Sequence, residues 1–459
     1  MESVRNVYIW LKSAELVADF QKYCGIKLKS VSRESESRKN VCTSVLEREN
    51  GVILTNGNVH KGTNGYIKPH ATNGIEHKNG FVKRNICTEE IRTKNGFCTQ
   101  VNGVVQNGSV QSELSSENTQ YINHITERKS DYDVKNKFYY LLFLFGASLG
   151  NELFYLTFFP FLIWNVDCTL LRRMAFVWHL AMWLGQAAKD VICWPRPASP
   201  PVVKMEHRYG LEYGMPSTHS LVGAVIPFCL LFIGSEVYKC SLLAGLPIAF
   251  TWAILVGGSR MYLGMHTALD VLAGYLCACV LIPLVLPWVA TLDHLQVTHP
   301  LAPLVTTLIY LCLCWVYPKQ KVWNTARADT ANVHGICGGV ATGAWLNYQL
   351  GWLTYTQELI PYELQPLTSD WLLYSLLRTL VGVVILVGIR GIFKPLSIKF
   401  LCRLYKINEK KIDEHRKYGS EVPQKFITYY MVSIGGSFLV PLLFHYLGIG
   451  RSTYYRELY

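Results

Sequence analysis

The sequence predicts an all-α fold, a polytopic transmembrane helix bundle behind a hydrophilic tail. Three observations predict it. Half of the 459 residues are hydrophobic and only 17% are charged, against roughly 25% in soluble domains. The apolar residues gather in long runs after about Phe138, whereas the first third of the chain is polar. Several runs reach the length a helix needs to cross a hydrocarbon core, roughly 20 apolar residues.

Along the chain, residues 1–135 read as the tail. A short amphipathic helix is expected over 7–24. Beyond it the dipeptide Asn-Gly recurs at Asn50, Asn56, Asn64, Asn73, Asn79, Asn95, Asn102 and Asn107. Asn-Gly favours tight turns, but no alternating apolar strands flank these steps and their intervals are irregular, so the segment is expected to be disordered. Residues 1–30 carry Glu2, Arg5, Lys12, Glu15 and Asp19 and no long apolar stretch, which does not fit a signal peptide; the first span is expected to direct insertion. About nine spans are expected, near 138–165, 174–188, 219–237, 241–258, 268–291, 300–317, 333–354, 371–393 and 427–448. The first carries Asn151 and Glu152 near its middle, where a break or dip is expected. The longer loops are 189–218, 318–332, 355–370 and 394–426. The last is rich in Lys and Arg (Lys394, Lys399, Lys410, Lys411, Arg416, Lys425) and reads as a membrane-flanking surface, with no sign of a nucleic-acid module. The 14 cysteines are scattered with no Cys-x-x-Cys pair, so neither a disulfide framework nor a zinc site is expected.

Three segments at span ends concentrate charge beside the bilayer: Lys189 to Arg196-Pro197, then Pro216-Ser217-Thr218-His219, then Ser259-Arg260 with His266 and Asp270. Taken singly, Lys189 and Arg196 are ordinary snorkelling cations, Ser217 or Thr218 a helix cap, and His266 with Asp270 an i, i+4 pair on one helix face. Span parity, however, puts all of them on one side of the membrane. Three cations, two imidazoles, a hydroxyl and a carboxylate can then share a pocket, and charges at that depth are costly unless paired or occupied by a charged ligand. A phosphoryl group supplies the anion.

Phosphoryl transfer depends on positioning and on stabilising charge spread over the equatorial oxygens. Lys189, Arg196 and Arg260 are the expected donors, joined by the Ser217 hydroxyl and the backbone N–H groups around Thr218 at a helix start. His266 is expected to attack phosphorus through a neutral ring nitrogen. Asp270 would fix its tautomer, and His219 would protonate the leaving alkoxide and then activate water. No carboxylate cluster accompanies them, which gives a two-metal mechanism little support.

Lys-x6-Arg-Pro, Pro-Ser-x-His and Ser-Arg-x5-His-x3-Asp, in this order, resemble the three-part signature of the phosphatidic acid phosphatase type 2 superfamily. Within it the chain most closely resembles the sphingosine-1-phosphate phosphatases. The likeness extends to Gly150-Asn-Glu-Leu-Phe-Tyr, Trp194-Pro-Arg-Pro-Ala-Ser-Pro-Pro-Val-Val-Lys204, Glu212-Tyr-Gly-Met-Pro-Ser-Thr-His219, Arg327-Ala-Asp-Thr-Ala331 and Glu421-Val-Pro. It covers about 138–450 and not the Asn-Gly tail. Thr218 stands where the wider superfamily often has Gly, and it suits this branch. The resemblance implies a catalytic helical core at 136–295 and additional spans at 296–459. It also implies Lys189, Arg196, Ser217, Thr218 and Arg260 as phosphate binders, His219 as general acid, and His266 as nucleophile with Asp270 its partner. A long-chain base phosphate substrate, an endoplasmic reticulum membrane location and no metal cofactor follow from it as well.

Two other readings remain at this stage. One is the same chemistry on phosphatidic acid, a polyprenyl diphosphate or glucose 6-phosphate. The other is a non-catalytic lipid-binding protein, whose signature, a lost motif His or Lys, is not seen. Sidedness is open: the basic loop at 394–425 puts the site on the cytosolic face by the positive-inside rule, while superfamily relatives in the endoplasmic reticulum can face the lumen.

Overall fold

A computed structural model describes residues 2–28, 86–92, 98–106, 109–110, 132–206, 209–319, 323–356, 360–363, 366–407 and 419–459. The Asn-Gly steps other than Asn102-Gly103, and Lys410, Lys411 and Arg416 of the basic loop, lie outside these residues; the loop expected at 394–426 is shorter, since Lys394 and Lys399 lie in the helix Ser369–Tyr405 and Lys425 in the helix Glu421–Ile434. The chain forms two units, one of Met1–Leu28 with Ser130–Tyr459, the other of Lys29–Lys129. In the second, β2 (Ile86–Arg92) pairs antiparallel with β3 (Cys98–Gln106), which pairs with β4 (Ser109–Val110). Asn102-Gly103 lies within β3, opposite Thr88 and Cys87, and not at a turn.

The opening residues are part of the helical unit and not of a tail. Two helices replace the single one expected: α1 (Glu2–Leu11) and α2 (Ala14–Tyr23), the second capped by Ser13. After them β1 (Ile26–Leu28) pairs antiparallel with β5 (Tyr132–Val134). Gln21 anchors α2: its amide donates to the carbonyls of Val203 and Tyr262 and accepts from Val203 N.

The remaining helices are α3 (Lys137–Ser148), α4 (Glu152–Asn165), α5 (Cys168–Ile192), α6 (Thr218–Val237), α7 (Leu242–Tyr262), α8 (Ala268–Thr298), α9 (Ala302–Val316), α10 (Ala326–Gln349), α11 (Ser369–Tyr405) and α12 (Glu421–Ile434), which runs through a π-helical turn at Gly435–Leu439 into α13 (Val440–Tyr446). Side-chain caps start most of them: Asn136, Asp167, Ser217, Ser241, Thr267 and Thr368 each accept from a backbone N–H of the first turn, satisfying donors that have no partner within the helix. Among the described residues five helices are long and apolar enough to cross a membrane, or six if α3 and α4 count as one span bent by 59°. The bend falls at Asn151 and Glu152, where the polar pair led to the expectation of a break.

The other three apolar runs of the expected nine are α5, α9 and α10. By length and apolarity none of them qualifies: α9 has 15 residues, and α5 and α10 are too polar. The reason is enclosure. Arg172, Arg173, His179, Lys189 and Asp190 of α5 and Thr330, His334 and Asn347 of α10 are buried against other helices, so those faces need no lipid-compatible surface. The outer helices do, and Leu243, Phe250, Leu276, Leu284, Trp288 and Leu373 are exposed there. The core joins Phe159 and Trp164 of α4, Met174 and Trp178 of α5, and Leu221 and Val225 of α6.

Close helix approach brings the future site together. A Cβ on Gly274 of α8 would stand 2.5 Å from the Ser217 carbonyl oxygen and 3.1 Å from Leu221 N. These are backbone atoms and cannot step aside as a side chain can. Gly274→Ala is therefore expected to destabilise the protein by about 1–3 kcal/mol, measured by thermal unfolding in detergent; an unchanged midpoint would contradict this packing.

Candidate active site

Each charged segment is set by the end of a helix. At the last turn of α5 lies Lys189, and Cys193, in left-handed conformation (φ 53°), ends the helix sharply. Ser217 caps α6: its hydroxyl oxygen accepts from Ser220 N at 3.4 Å and from Ser220 Oγ at 3.0 Å. Arg260 occupies the last turn of α7. The following Gly264 turn (φ +71°) returns the chain to His266 and to Thr267, which caps α8. A backbone bond from Ser217 N to the Asp270 carbonyl, 3.0 Å, ties the starts of α6 and α8 together.

These ends converge. Lys189 Nζ donates to Thr218 Oγ1 at 3.0 Å. Arg196 is held by two carbonyls, Nε to Glu212 O at 2.8 Å and Nη1 to Met265 O at 2.9 Å, and Nη1 also lies 3.3 Å from His266 Nε2. A guanidinium can only donate, so Nε2 carries the lone pair and the proton sits on Nδ1. His219 lies in the electrostatic reach of Arg260, Lys189, His266 and Arg196. Lys189, Arg260 and His266 are each at most 2% exposed. Burial holds the His266 imidazole well below the usual histidine range, and Arg196, Lys189 and Arg260 push the same way, so the ring is neutral at neutral pH.

Asp270 is placed differently from the expectation. Its Oδ2 lies 3.7 Å from His266 Nδ1, ion-pair range but longer than a hydrogen bond. The same oxygen accepts from Thr267 N at 2.7 Å, while Thr267 Oγ1 accepts from Asp270 N, a capping box at the start of α8. Gly214 crowds this corner: a Cβ there would stand 3.2 Å from Asp270 Oδ2.

Two carboxylates that the sequence reading left without a role neutralise the cations. Glu212 Oε2 pairs with Lys189 Nζ at 3.0 Å, and its Oε1 accepts from Thr325 Oγ1 at 2.9 Å. Burial alone would raise the Glu212 carboxyl; Lys189 and Arg196 outweigh it and hold it below the usual glutamate range. Glu206 Oε2 pairs with Arg260 Nη1 at 3.1 Å. The signal was present: both sit in the 189–218 loop between the first and second motifs, and two buried cations with a half-buried third require counter-charge.

From His219 and Thr218 a cavity extends into the bundle. Tyr209 and Glu212 complete its polar end, and Tyr155, Phe159, Trp178, Ile336 and Leu386 are among its apolar lining. Lys189, Arg196, Arg260 and His266 are not among the residues that line it.

A helical bundle with spans of this kind and this ordered constellation at one end defines an integral membrane protein of the PAP2 class, and the family model described as PAP2 superfamily matches residues 170–293, from α5 to α8. Sphingosine-1-phosphate phosphatase 2 of Homo sapiens is 41% identical over 320 residues, 69% of this chain and 80% of that protein. The mouse protein of that name is 39% identical over 321 residues, 70% and 91% of the two chains, and sphingosine-1-phosphate phosphatase 1 of Rattus norvegicus 39% over 318 residues, 69% and 74%. The chain belongs to the sphingosine-1-phosphate phosphatase family. No solved structure matches it significantly.

An anion that binds Arg260 has to displace Glu206, so with phosphate as that anion Glu206→Gln is expected to tighten its binding about two- to fivefold, the size of a partly exposed ion pair. Product inhibition measures it, and an unchanged inhibition constant would show that Glu206 does not hold Arg260 back.

Proposed function

We propose that the protein hydrolyses sphingosine 1-phosphate and related long-chain base phosphates in the endoplasmic reticulum membrane, through a phosphohistidine formed on His266. The observation that carries the mechanism is the 3.3 Å approach of Arg196 Nη1 to Nε2 of His266, a ring whose neutral form burial favours. Family membership supports the substrate class.

The phosphate monoester takes the place of the Glu206 and Glu212 carboxylates on Arg260 and Lys189, and Arg196, held by carbonyls at Nε and Nη1, adds its remaining Nη2 donors. The Ser217 hydroxyl and the first N–H groups of α6 complete the anion cradle. With the charge of the cations neutralised by the bound phosphate, His219, which lines the cavity, takes up a proton; His266 Nε2 attacks phosphorus as the P–O bond to the lipid breaks, and His219 gives that proton to the departing alkoxide. The lipid alcohol leaves. A water then loses a proton to His219 and attacks phosphorus, the P–N bond breaks, and inorganic phosphate is released with His266 neutral again. Asp270 stabilises the ring while it carries the phosphoryl group, its 3.7 Å gap closing as Nδ1–H becomes more acidic.

His266→Ala is expected to abolish phosphate release from sphingosine 1-phosphate by purified protein in the presence of EDTA, and to abolish an acid-labile phosphoryl label on the enzyme; undiminished turnover would defeat the mechanism. The pH profile gives a second check. A nucleophile whose folded pKa is depressed stays neutral as pH falls through the ordinary histidine value, about 6.5. The limb of kcat/KM assigned to His266 is therefore expected below that value, and a limb above it would contradict the burial argument.

A further inference from the structure

The motif Arg327-Ala-Asp-Thr-Ala331 has no part in the phosphoryl chemistry, yet it opens the helix that lines the cavity. Its position is fixed relative to the phosphate site. Glu212 touches Lys189 with one carboxylate oxygen, at 3.0 Å, and Thr325 with the other, at 2.9 Å. Thr325 immediately precedes α10. Asp329 follows it by four residues, one helical turn or about 5.4 Å into the cavity. From there the cavity-facing positions of α10 are Asp329, Asn332, Val333, Ile336 and Val340, spaced as one helix face. That face is polar for one turn and apolar beyond it.

A further observation points to a ligand there. The Asn332 side-chain oxygen is buried without a hydrogen-bond partner, an acceptor whose desolvation is uncompensated. Beside it Asp329 pairs with Lys425 of α12, whose Nζ lies 3.0 Å from Asp329 Oδ1. Beyond this pair, α10 and α12 run parallel and continue together as the cavity wall: Tyr429, Val432 and Ser433 face it from α12 and Gly436 from the π-helical turn that follows.

We propose that Asp329 and Asn332 form the subsite for the ammonium and hydroxyl groups of the long-chain base, with its hydrocarbon chain lying along the apolar remainder of α10 and α12. This rests on the reading of the substrate as a long-chain base phosphate and adds to it the residues that select the base. The order of groups matches: phosphate at the helix ends, then an amine and a hydroxyl on the next two carbons, then a single hydrocarbon chain. The subsite also lies outside residues 170–293, the part matched by the superfamily model, so selection of the base is built by helices added to the phosphoryl-transfer core.

The test compares sphingosine 1-phosphate with a lysophosphatidate of equal chain length, which has the phosphate monoester and one chain but no ammonium. Wild-type turnover of sphingosine 1-phosphate tests the substrate reading; the change in preference on substitution tests the subsite. Asp329→Asn is expected to lower kcat/KM for sphingosine 1-phosphate about ten- to hundredfold, as expected for a lost hydrogen bond to a charged group, while kcat/KM for the lysophosphatidate stays within about twofold. Lysophosphatidate turnover reports folding in the same preparation. A parallel fall on both substrates, or no fall on either, overturns the proposal. Lys425→Met breaks the ion pair but leaves the carboxylate, and is expected to keep the preference. Its loss in that variant, matching Asp329→Asn, would show that Asp329 acts only through the pair and would also overturn the subsite.

Discussion

The structure is organised around one electrostatic constraint. Lys189 and Arg260 are almost fully buried at the end of a bundle whose outside is apolar, and Arg196 lies beside them. Charges in such surroundings persist only with a partner close by. Glu212 and Glu206 are those partners, and the carbonyls of Glu212 and Met265 hold Arg196. A phosphate monoester presents the same two features, negative charge and several acceptor oxygens, in the same volume. The two glutamates thus keep the cations folded and pointed inward, at the cost of competing with the ligand. A site built this way is pre-organised without being empty of counter-charge, and in the proposed mechanism exchange of carboxylate for phosphate is the first step.

The same constraint accounts for the distribution of polarity in the bundle. Helices that carry the site or wall the cavity, α5 and α10, are polar because other helices enclose them. Those that enclose them, α7, α8 and α11, are apolar on exposed faces. Pairing continues at the opposite end, where Arg172 and Arg173 of α5 meet Asp293 near the end of α8, and Arg451 pairs with Glu457, which accepts from Cys168 N. The central helix α5 is tied by ionic or hydrogen-bonded contacts at both ends, which fixes its height relative to α6 and α8 and so the position of Lys189.

Much of this was legible in the residues, and the parts that were not have physical reasons. The three charged segments meet as span parity required, because an odd or even number of crossings leaves little freedom as to which end a loop occupies. The bend at Asn151 was legible because two polar residues interrupt an apolar run. Span counting was less direct: α5 and α10 are long helices, but hydropathy reports the surface a helix shows to lipid, and theirs is mostly covered. Glu206 and Glu212 passed unassigned because attention to an anion site favours its cations, and counter-charges supplied from an irregular loop have no periodicity to betray them. Asp270 was paired with His266 by its i, i+4 spacing. That spacing also serves a capping box between Thr267 and Asp270, and the box holds the carboxylate oxygen 3.7 Å from the ring.

The central claim is that two imidazoles and three cations surround one phosphorus position. A structure with orthovanadate, which adopts the trigonal-bipyramidal geometry of the transferring phosphoryl group, tests it most directly. The account predicts vanadium bonded to His266 Nε2, Lys189, Arg196 and Arg260 on its equatorial oxygens, Glu206 displaced from Arg260, and a His219 ring nitrogen on the oxygen opposite His266. Vanadate bound elsewhere, or His219 turned away from that oxygen, would contradict it.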